Sequence, residues 1–238
     1  MRPLVLIPGL GNTSALFDPL LTALACQDWH EDQAIHVNLQ NTSVQNFENM
    51  VDHARRQLPS EPYDLLGFSM GGYVALHLAQ EAGVRLHRLI LLNSRAVDDR
   101  EEERQERQRT LALLMHPGLK FEGMTWRLFQ SLVGPAHQDD ADLFARVKAM
   151  ALDVGAEATA AQIRANLTRP DQRPGLVQVK VPTLVVGGAA DTLTPPTQAR
   201  MLAAGIEQSQ LHILDDCGHL SPLERPEALA ALIKAFLA

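Results

Sequence analysis

The residues Gly67-Phe68-Ser69-Met70-Gly71-Gly72 place a serine between a predicted strand and a predicted helix. An apolar run predicts the strand over Tyr63 to Phe68, and the helix is predicted over Met70 to Ala82. G-x-S-x-G in this setting is typical of a sharp turn that exposes the serine hydroxyl. The small residues on either side let neighbouring backbone pass closely. The alternative interpretation is a serine that only caps the helix.

Short apolar runs alternate with amphipathic stretches on both sides of this turn, which predicts strand–helix–strand units around a parallel sheet. Six strands are predicted, over Pro3 to Ile7, Ala34 to Leu39, Tyr63 to Phe68, Arg88 to Asn93, Thr183 to Gly187 and Gln210 to Leu214. Further helices are predicted over Ala15 to Ala25, Val44 to Leu58, Thr197 to Ala204 and Pro226 to Leu237. Ser43 and Pro226 are the residue types that begin helices.

The alternation stops between about Asp98 and Gln178, where an all-helical insertion is predicted to form a cap. Its helices are predicted over Asp98 to Met115, Met124 to Val133, Asp139 to Val154 and Ala156 to Thr168. The charge run from Asp98 to Arg107 favours a solvated helix face over a partner-binding surface. The predicted organisation is a core over residues 1–97, a helical cap over residues 98–178 and the rest of the core over residues 179–238.

Composition excludes several classes of protein. The 238 residues are 46% hydrophobic and 21% charged, which is ordinary for a folded globular chain. The formal net charge of −7 argues against nucleic acid as a partner. No apolar run approaches the length of a membrane span, and Pro8 and Gly9 interrupt the first apolar run too early for a signal peptide. Two cysteines without metal-ligand spacing suit a reduced, cytoplasmic setting. The oligomeric state stays open.

A serine hydroxyl becomes a good nucleophile only when a base takes its proton, so a histidine and an orienting carboxylate are expected near Ser69. His219 is the candidate base, because it follows the last predicted strand on a glycine-containing loop. Asp191 is the candidate carboxylate, because it follows the preceding strand. Asp215 and Asp216 are alternative carboxylates.

The chain order Ser, Asp, His resembles that of the α/β-hydrolase superfamily. The stretch Leu6-Ile7-Pro8-Gly9-Leu10-Gly11, the serine turn, and the Asp191 and His219 loops carry the resemblance over about residues 1–94 and 178–238. It implies an α/β fold with a mostly parallel sheet of about six strands flanked by helices. It also implies that the backbone N–H groups of Leu10 and Met70 form an oxyanion hole.

Two departures from the superfamily pattern are evident. Pro8-Gly9 stands where its members usually have His-Gly, so different contacts are expected to support the first loop. The antiparallel hairpin that usually leads the sheet is also not apparent, so a sheet that is shorter at one edge is expected.

The resemblance implies a serine hydrolase, esterase-like, that cleaves a small carboxylic ester or related acyl compound through an acyl-enzyme. Hydrolysis of a C–C bond, an enol-lactone or a thioester is the alternative activity, and a non-catalytic small-molecule receptor is the alternative function. Dehalogenation is disfavoured because the dehalogenating branch of the superfamily has an aspartate at the position of Ser69. The substrate pocket is predicted to include Gly9, Trp126, Phe129 and Leu220, with Leu128 and Leu132 also roofing it. No metal or organic cofactor is predicted.

Overall fold

A computed structural model describes residues 2–26, 33–81, 85–118 and 120–238. Within them, six strands form one sheet: β1 (Leu4–Ile7), β2 (Ala34–His36), β3 (Tyr63–Phe68), β4 (Leu86–Leu92), β5 (Thr183–Gly188) and β6 (Ser209–Leu214). Their order is β2-β1-β3-β4-β5-β6, and all five pairings are parallel. The predicted sheet of about six strands is confirmed.

The helices of the described residues follow the predicted alternation. They are α1 (Asp18–Ala25), α2 (Phe47–Arg55), α3 (Met70–Gln80), α4 (Glu101–Leu114), α5 (Trp126–Leu132), α6 (Ala141–Leu167), α7 (Pro196–Gly205), α8 (Ser221–Glu224) and α9 (Pro226–Leu237). Short 3₁₀ helices cover Ser14–Leu16, Pro135–His137 and Arg173–Gln178. Ala82, the last residue of the helix predicted after Ser69, lies outside the described residues. None of the helices described here has both the length and the apolar character that a membrane crossing requires.

Strands β1, β3 and β5 are buried on both faces, which explains why they are almost continuously apolar, whereas the edge strands β2 and β6 are partly exposed. Val5 and Ile7 point to a core shared with α2, α3 and α7, whereas Leu4 and Leu6 point to a second core shared with α1 and α9. All four side chains are almost completely inaccessible. Burying an aliphatic side chain stabilises the fold by about 1.5–3 kcal/mol, so the strands are held from both sides.

Helix α2 begins later than the sequence predicts. The side chain of Asn46 accepts a hydrogen bond from the backbone N–H of Asn49 at 2.9 Å, so Asn46 caps the helix. The predicted cap, Ser43, instead donates its hydroxyl to Oδ1 of Asn41 at 2.7 Å, within the loop before the helix. Asparagine and serine are both good capping residues, and the local pattern did not separate them.

The described residues between β4 and β5 form helices and no strand. Helix α4 has no buried residue, as expected for a solvated face, but Asp99 of the same charge run is only 6% exposed because it pairs with arginines. Helix α6 is interrupted at Gly155, whose φ of +75° is non-helical. This break coincides with the boundary predicted between Val154 and Ala156.

Parallel strands place their carboxyl ends at one edge of the sheet, and this edge positions the candidate site. Ser69 directly follows β3, Asp191 follows β5, and His219 follows β6. Residues far apart in sequence therefore meet above the same edge.

Candidate active site

Ser69 occupies the strained turn between β3 and α3. Its φ of 51° and ψ of −114° lie outside the regions that most residues adopt, and its backbone N–H donates to the Leu92 carbonyl at 2.9 Å. The turn fits because α3 packs closely on the end of β1: a Cβ at Gly71 would overlap the Ile7 carbonyl oxygen. The sequence requirement for glycine there is therefore steric.

Ser69, His219 and Asp191 form one hydrogen-bonded chain. Nε2 of His219 lies 2.9 Å from Oγ of Ser69, and Nδ1 of His219 lies 2.9 Å from Oδ2 of Asp191. All three residues are buried. With the imidazole proton on Nδ1, Nε2 is free to accept the serine proton. The alternative carboxylates, Asp215 and Asp216, are exposed in the turn after β6.

The Asp191 carboxylate is held ionised by several donors. Oδ1 accepts the backbone N–H groups of Leu193 at 2.9 Å and Thr194 at 2.8 Å, and Oδ2 accepts the Thr194 hydroxyl at 2.6 Å. Burial alone would raise the pKa of Asp191. The charge of His219, and hydrogen bonds from His219, Asn93 and Thr194, outweigh burial and hold that pKa below its ordinary value.

Asn93 positions this carboxylate, and sequence reasoning missed it. The predicted fourth strand ended at Asn93, but β4 ends at Leu92 and Asn93 turns to a φ of +45°. Its Nδ2 then donates to Oδ2 of Asp191 at 2.9 Å and to the carbonyl of Gly218 at 3.1 Å. One buried amide thus ties the Asp191 loop to the His219 loop.

Glu224 holds the His219 loop from the other side. Its Oε2 accepts the backbone N–H groups of Gly134 at 2.6 Å and Gly218 at 2.9 Å, and its Oε1 accepts that of Leu220 at 2.8 Å. The residue is only 5% exposed. The N–H of His219 itself donates to the Leu132 carbonyl, at the end of α5. The histidine is therefore fixed to both α8 and α5.

The candidate oxyanion donors, Leu10 and Met70, both line the cavity above Ser69. Met70 begins α3, where a backbone N–H has no partner within the helix and favours a nearby anion. The first loop is braced by Gln162 of α6, whose Oε1 accepts the Gly11 N–H at 2.9 Å and whose Nε2 donates to the Leu39 carbonyl at 3.2 Å. Gln162 thus supplies a support for the loop that carries Pro8-Gly9.

The cavity above Ser69 has a volume of about 170 Å³ and a mainly apolar lining. Of the predicted pocket residues, Leu220 lines it, as do Leu128 and Leu132. Gly9, Trp126 and Phe129 are not among its lining residues. Phe129 is fully buried, and it packs with Trp126 and Phe144 at ring-centroid distances of 5.6 and 5.5 Å. These aromatic side chains pack α5 against α6 instead of lining the cavity.

Across residues 2–26, 33–81, 85–118 and 120–238, no group of three or more His, Cys, Asp or Glu side chains is arranged to hold a metal ion.

A sequence model of the alpha/beta hydrolase family matches residues 4–232. The chain belongs to this family. The family assignment agrees with the parallel sheet, the serine turn after β3 and the histidine loop after β6.

The chain is similar to proteins named as esterases and hydrolases. The chain is 28% identical to the pimeloyl-[acyl-carrier protein] methyl ester esterase of Neisseria meningitidis, over all of this chain and 77% of that protein. It is 27% identical to the 2-hydroxy-6-oxononadienedioate/2-hydroxy-6-oxononatrienedioate hydrolase of Klebsiella pneumoniae, over 97% of this chain and 82% of that protein. A thermophilic esterase from Thermogutta terrifontis superposes with a TM-score of 0.84 at 26% identity, over all of this chain and 89% of that one. The chain is an α/β-hydrolase enzyme.

Proposed function

We propose that the protein hydrolyses a small carboxylic ester or a related acyl compound through an acyl-enzyme on Ser69. The observation that carries the proposal is the hydrogen-bonded chain from Ser69 through His219 to Asp191, with both links at 2.9 Å. A serine, a histidine and a carboxylate in this geometry are the groups that acyl transfer requires.

The geometry supports the following sequence of steps. Nε2 of His219 takes the proton as Oγ of Ser69 attacks the carbonyl carbon, and the N–H groups of Leu10 and Met70 stabilise the oxyanion. Asp191 stabilises the imidazolium that forms. His219 then protonates the leaving alcohol, which departs as the acyl-enzyme forms. A water molecule, deprotonated by His219, releases the acid and regenerates Ser69.

Two of the relatives support ester substrates, because one is a methyl ester esterase and another is an esterase. The Klebsiella relative is a hydrolase of oxononadienedioate-type compounds, which favours C–C bond hydrolysis as the second candidate activity. Both reactions begin at the same catalytic groups, and they differ in the bond that breaks after attack on a carbonyl carbon.

We further propose that residues 98–178 act as the cap over this site. Leu128 and Leu132 of α5 line the cavity, and so does Val147 of α6, which supports a role for these helices in enclosing the acyl group. A receptor on the same fold would not need a hydrogen-bonded chain of Ser69, His219 and Asp191, so the presence of this chain favours catalysis.

The test is hydrolysis of p-nitrophenyl esters of short and medium chain length, compared with a lactone, an acyl thioester and a vinylogous diketone. Ser69→Ala is expected to lower kcat by a factor on the order of 10⁶, as removal of a triad serine does in a serine protease. Ser60→Ala, at an exposed serine outside the site, is the matched control and is expected to retain full activity. Ester turnover that is equal in both variants would refute the assigned nucleophile, and turnover confined to the diketone would select the second activity.

A further inference from the structure

Three arginines surround one buried carboxylate beside the active-site cavity. Nη2 of Arg95 lies 2.6 Å from Oδ1 of Asp99, Nε of Arg107 lies 2.6 Å from Oδ2, and Nη2 of Arg169 lies 3.2 Å from Oδ1. Asp99 is 6% exposed. We call Arg95, Arg107, Arg169, Asp99 and Glu103 the arginine cluster.

The cluster carries an excess of positive charge. Glu103 is its second carboxylate, and it accepts a hydrogen bond from Nη1 of Arg95 at 2.7 Å. Burial would raise the pKa of Glu103, but hydrogen bonds from Arg95 and from the Arg100 backbone lower it to about 2. Guanidinium groups also stay charged in proteins. Three cations therefore face two anions, and the nearby Asp171 is already paired with Arg173.

Arg107 is the member of the cluster that lines the cavity above Ser69. Arg107 binds Asp99 through Nε and Nη2. The other two arginines make contacts in addition to Asp99: the Arg169 guanidinium stacks on the Tyr73 ring with its carbon 4.1 Å from the ring centroid, and Arg95 also binds Glu103. Among the lining residues that the structure describes, Arg107 alone carries a permanent charge.

A second polar side chain in the cavity wall is Asn166 of α6. It lines the same cavity and is 3% exposed, and within the described residues its Oδ1 is buried without a hydrogen bond. Leaving such an atom unpaired is costly. The oxygen only accepts hydrogen bonds, so a carboxylate can pair with this side chain only through its NH₂ group. A rotation of the amide presents its NH₂ donors in place of the oxygen.

We propose that Arg107 and Asn166 form a subsite for a carboxylate at the far end of the acyl chain, so that the substrate is a half ester of a short dicarboxylic acid. Guanidinium and amide N–H groups donate to both oxygens of a carboxylate, which accepts hydrogen bonds only. The apolar lining between this subsite and Ser69, including Val147 and Leu128, suits the methylene groups that join the two ends. This inference rests on the proposed hydrolysis at Ser69.

The kinetic test compares p-nitrophenyl hexanoate with the p-nitrophenyl half ester of hexanedioic acid. Wild type is expected to prefer the half ester in kcat/KM by about tenfold or more, since hydrogen bonds to charged groups are among the stronger ones. Arg107→Gln is expected to abolish this preference and Arg107→Lys to retain part of it. Arg109→Gln is the matched control, because Arg109 lies on the same helix, its side chain is 71% exposed and it pairs with Glu106 away from the cavity lining. Equal preference in Arg107→Gln and wild type would overturn the proposal.

A binding measurement separates this inference from the proposed reaction. Isothermal titration calorimetry with hexanedioate and hexanoate requires no turnover, so it reports on the subsite even if Ser69 is not the nucleophile. Wild type and Arg109→Gln are expected to bind hexanedioate more tightly than hexanoate, and Arg107→Gln is expected to bind the two alike. Circular dichroism confirms that each variant is folded. Equal affinity of wild type for the two acids would overturn the subsite, whereas hexanedioate selectivity in a protein without esterase activity would overturn only the reaction.

Discussion

Replacing Glu224 by glutamine tests whether the His219 loop is held as the structure indicates. Glu224 accepts three backbone N–H groups, from Gly134, Gly218 and Leu220, at 2.6–2.9 Å. Glutamine keeps the size of the side chain but turns one oxygen into an NH₂ donor. In its better orientation the amide faces the Leu220 N–H, so one hydrogen bond is lost and two become neutral.

The expected cost follows from these contacts. Hydrogen bonds to charged groups contribute about 1.5–3 kcal/mol and neutral ones about 0.5–1.5 kcal/mol, while removal of a buried charge offsets part of the loss. We therefore expect Glu224→Gln to lower the free energy of unfolding by about 2–4 kcal/mol. His219 lies between Gly218, whose hydrogen bond to residue 224 weakens, and Leu220, whose hydrogen bond is lost. A displacement of the His219 ring by about 1 Å is therefore expected to reduce kcat by up to about 10²-fold.

Urea unfolding and p-nitrophenyl butyrate hydrolysis measure the two effects. Glu227→Gln is the matched control, because Glu227 is exposed in the first turn of α9 and is expected to change stability by less than about 1 kcal/mol. If Glu224→Gln matched the control in both stability and kcat, the inferred restraint on His219 would be refuted. If Glu224→Gln lowered the stability but left kcat unchanged, Glu224 would stabilise the fold without positioning His219.

Three further predictions concern the surrounding groups. The pKa of Asp191 is lowered in the folded protein, so its ionised form stabilises the fold. This contribution is complete above the ordinary aspartate pKa of about 3.9 and is lost as the pH falls through the folded pKa. Asp191→Asn should therefore lose less stability on acidification than wild type, and parallel plots of unfolding free energy against pH for the two proteins would contradict this. Burial raises the pKa of the Cys217 thiol, so iodoacetamide should modify the exposed Cys26 and spare Cys217 until the protein unfolds. Peptide mass spectrometry identifies the modified cysteine, and modification of Cys217 in the folded protein would be inconsistent with the structure. Gln162→Ala removes the acceptor for the Gly11 N–H and should lower kcat by about 10- to 100-fold with little change in KM. An unchanged kcat would show that the loop after β1 does not depend on this hydrogen bond.

The parts of the fold that local sequence determines were predictable. The β3 bounds and the full extent of α9 agree with prediction, because an apolar run and an initial proline mark them directly. The turn at Ser69 was equally visible, since the motif that marks it spans only five residues. The break in α6 at Gly155 was placed correctly, and a glycine adopts its positive φ without steric cost.

The supports of the site depend on contacts between distant residues, which no local pattern marks. Gln162 lies 151 positions from Gly11, and Glu224 lies 90 positions from Gly134. Asn93 looked like the last residue of a strand, yet its positive φ turns the side chain towards Asp191. Such polar residues become significant only when the fold brings their partners to them.

Labelling with a fluorophosphonate probe asks whether His219 activates Ser69 as a nucleophile. The probe reacts with a serine only when a base activates it, so we expect one adduct, on the peptide that contains Ser69. His219→Gln is expected to slow labelling severely, and Ser69→Ala to prevent it. An adduct on another residue, or hydrolysis by wild type that survives complete labelling of Ser69, would contradict the account.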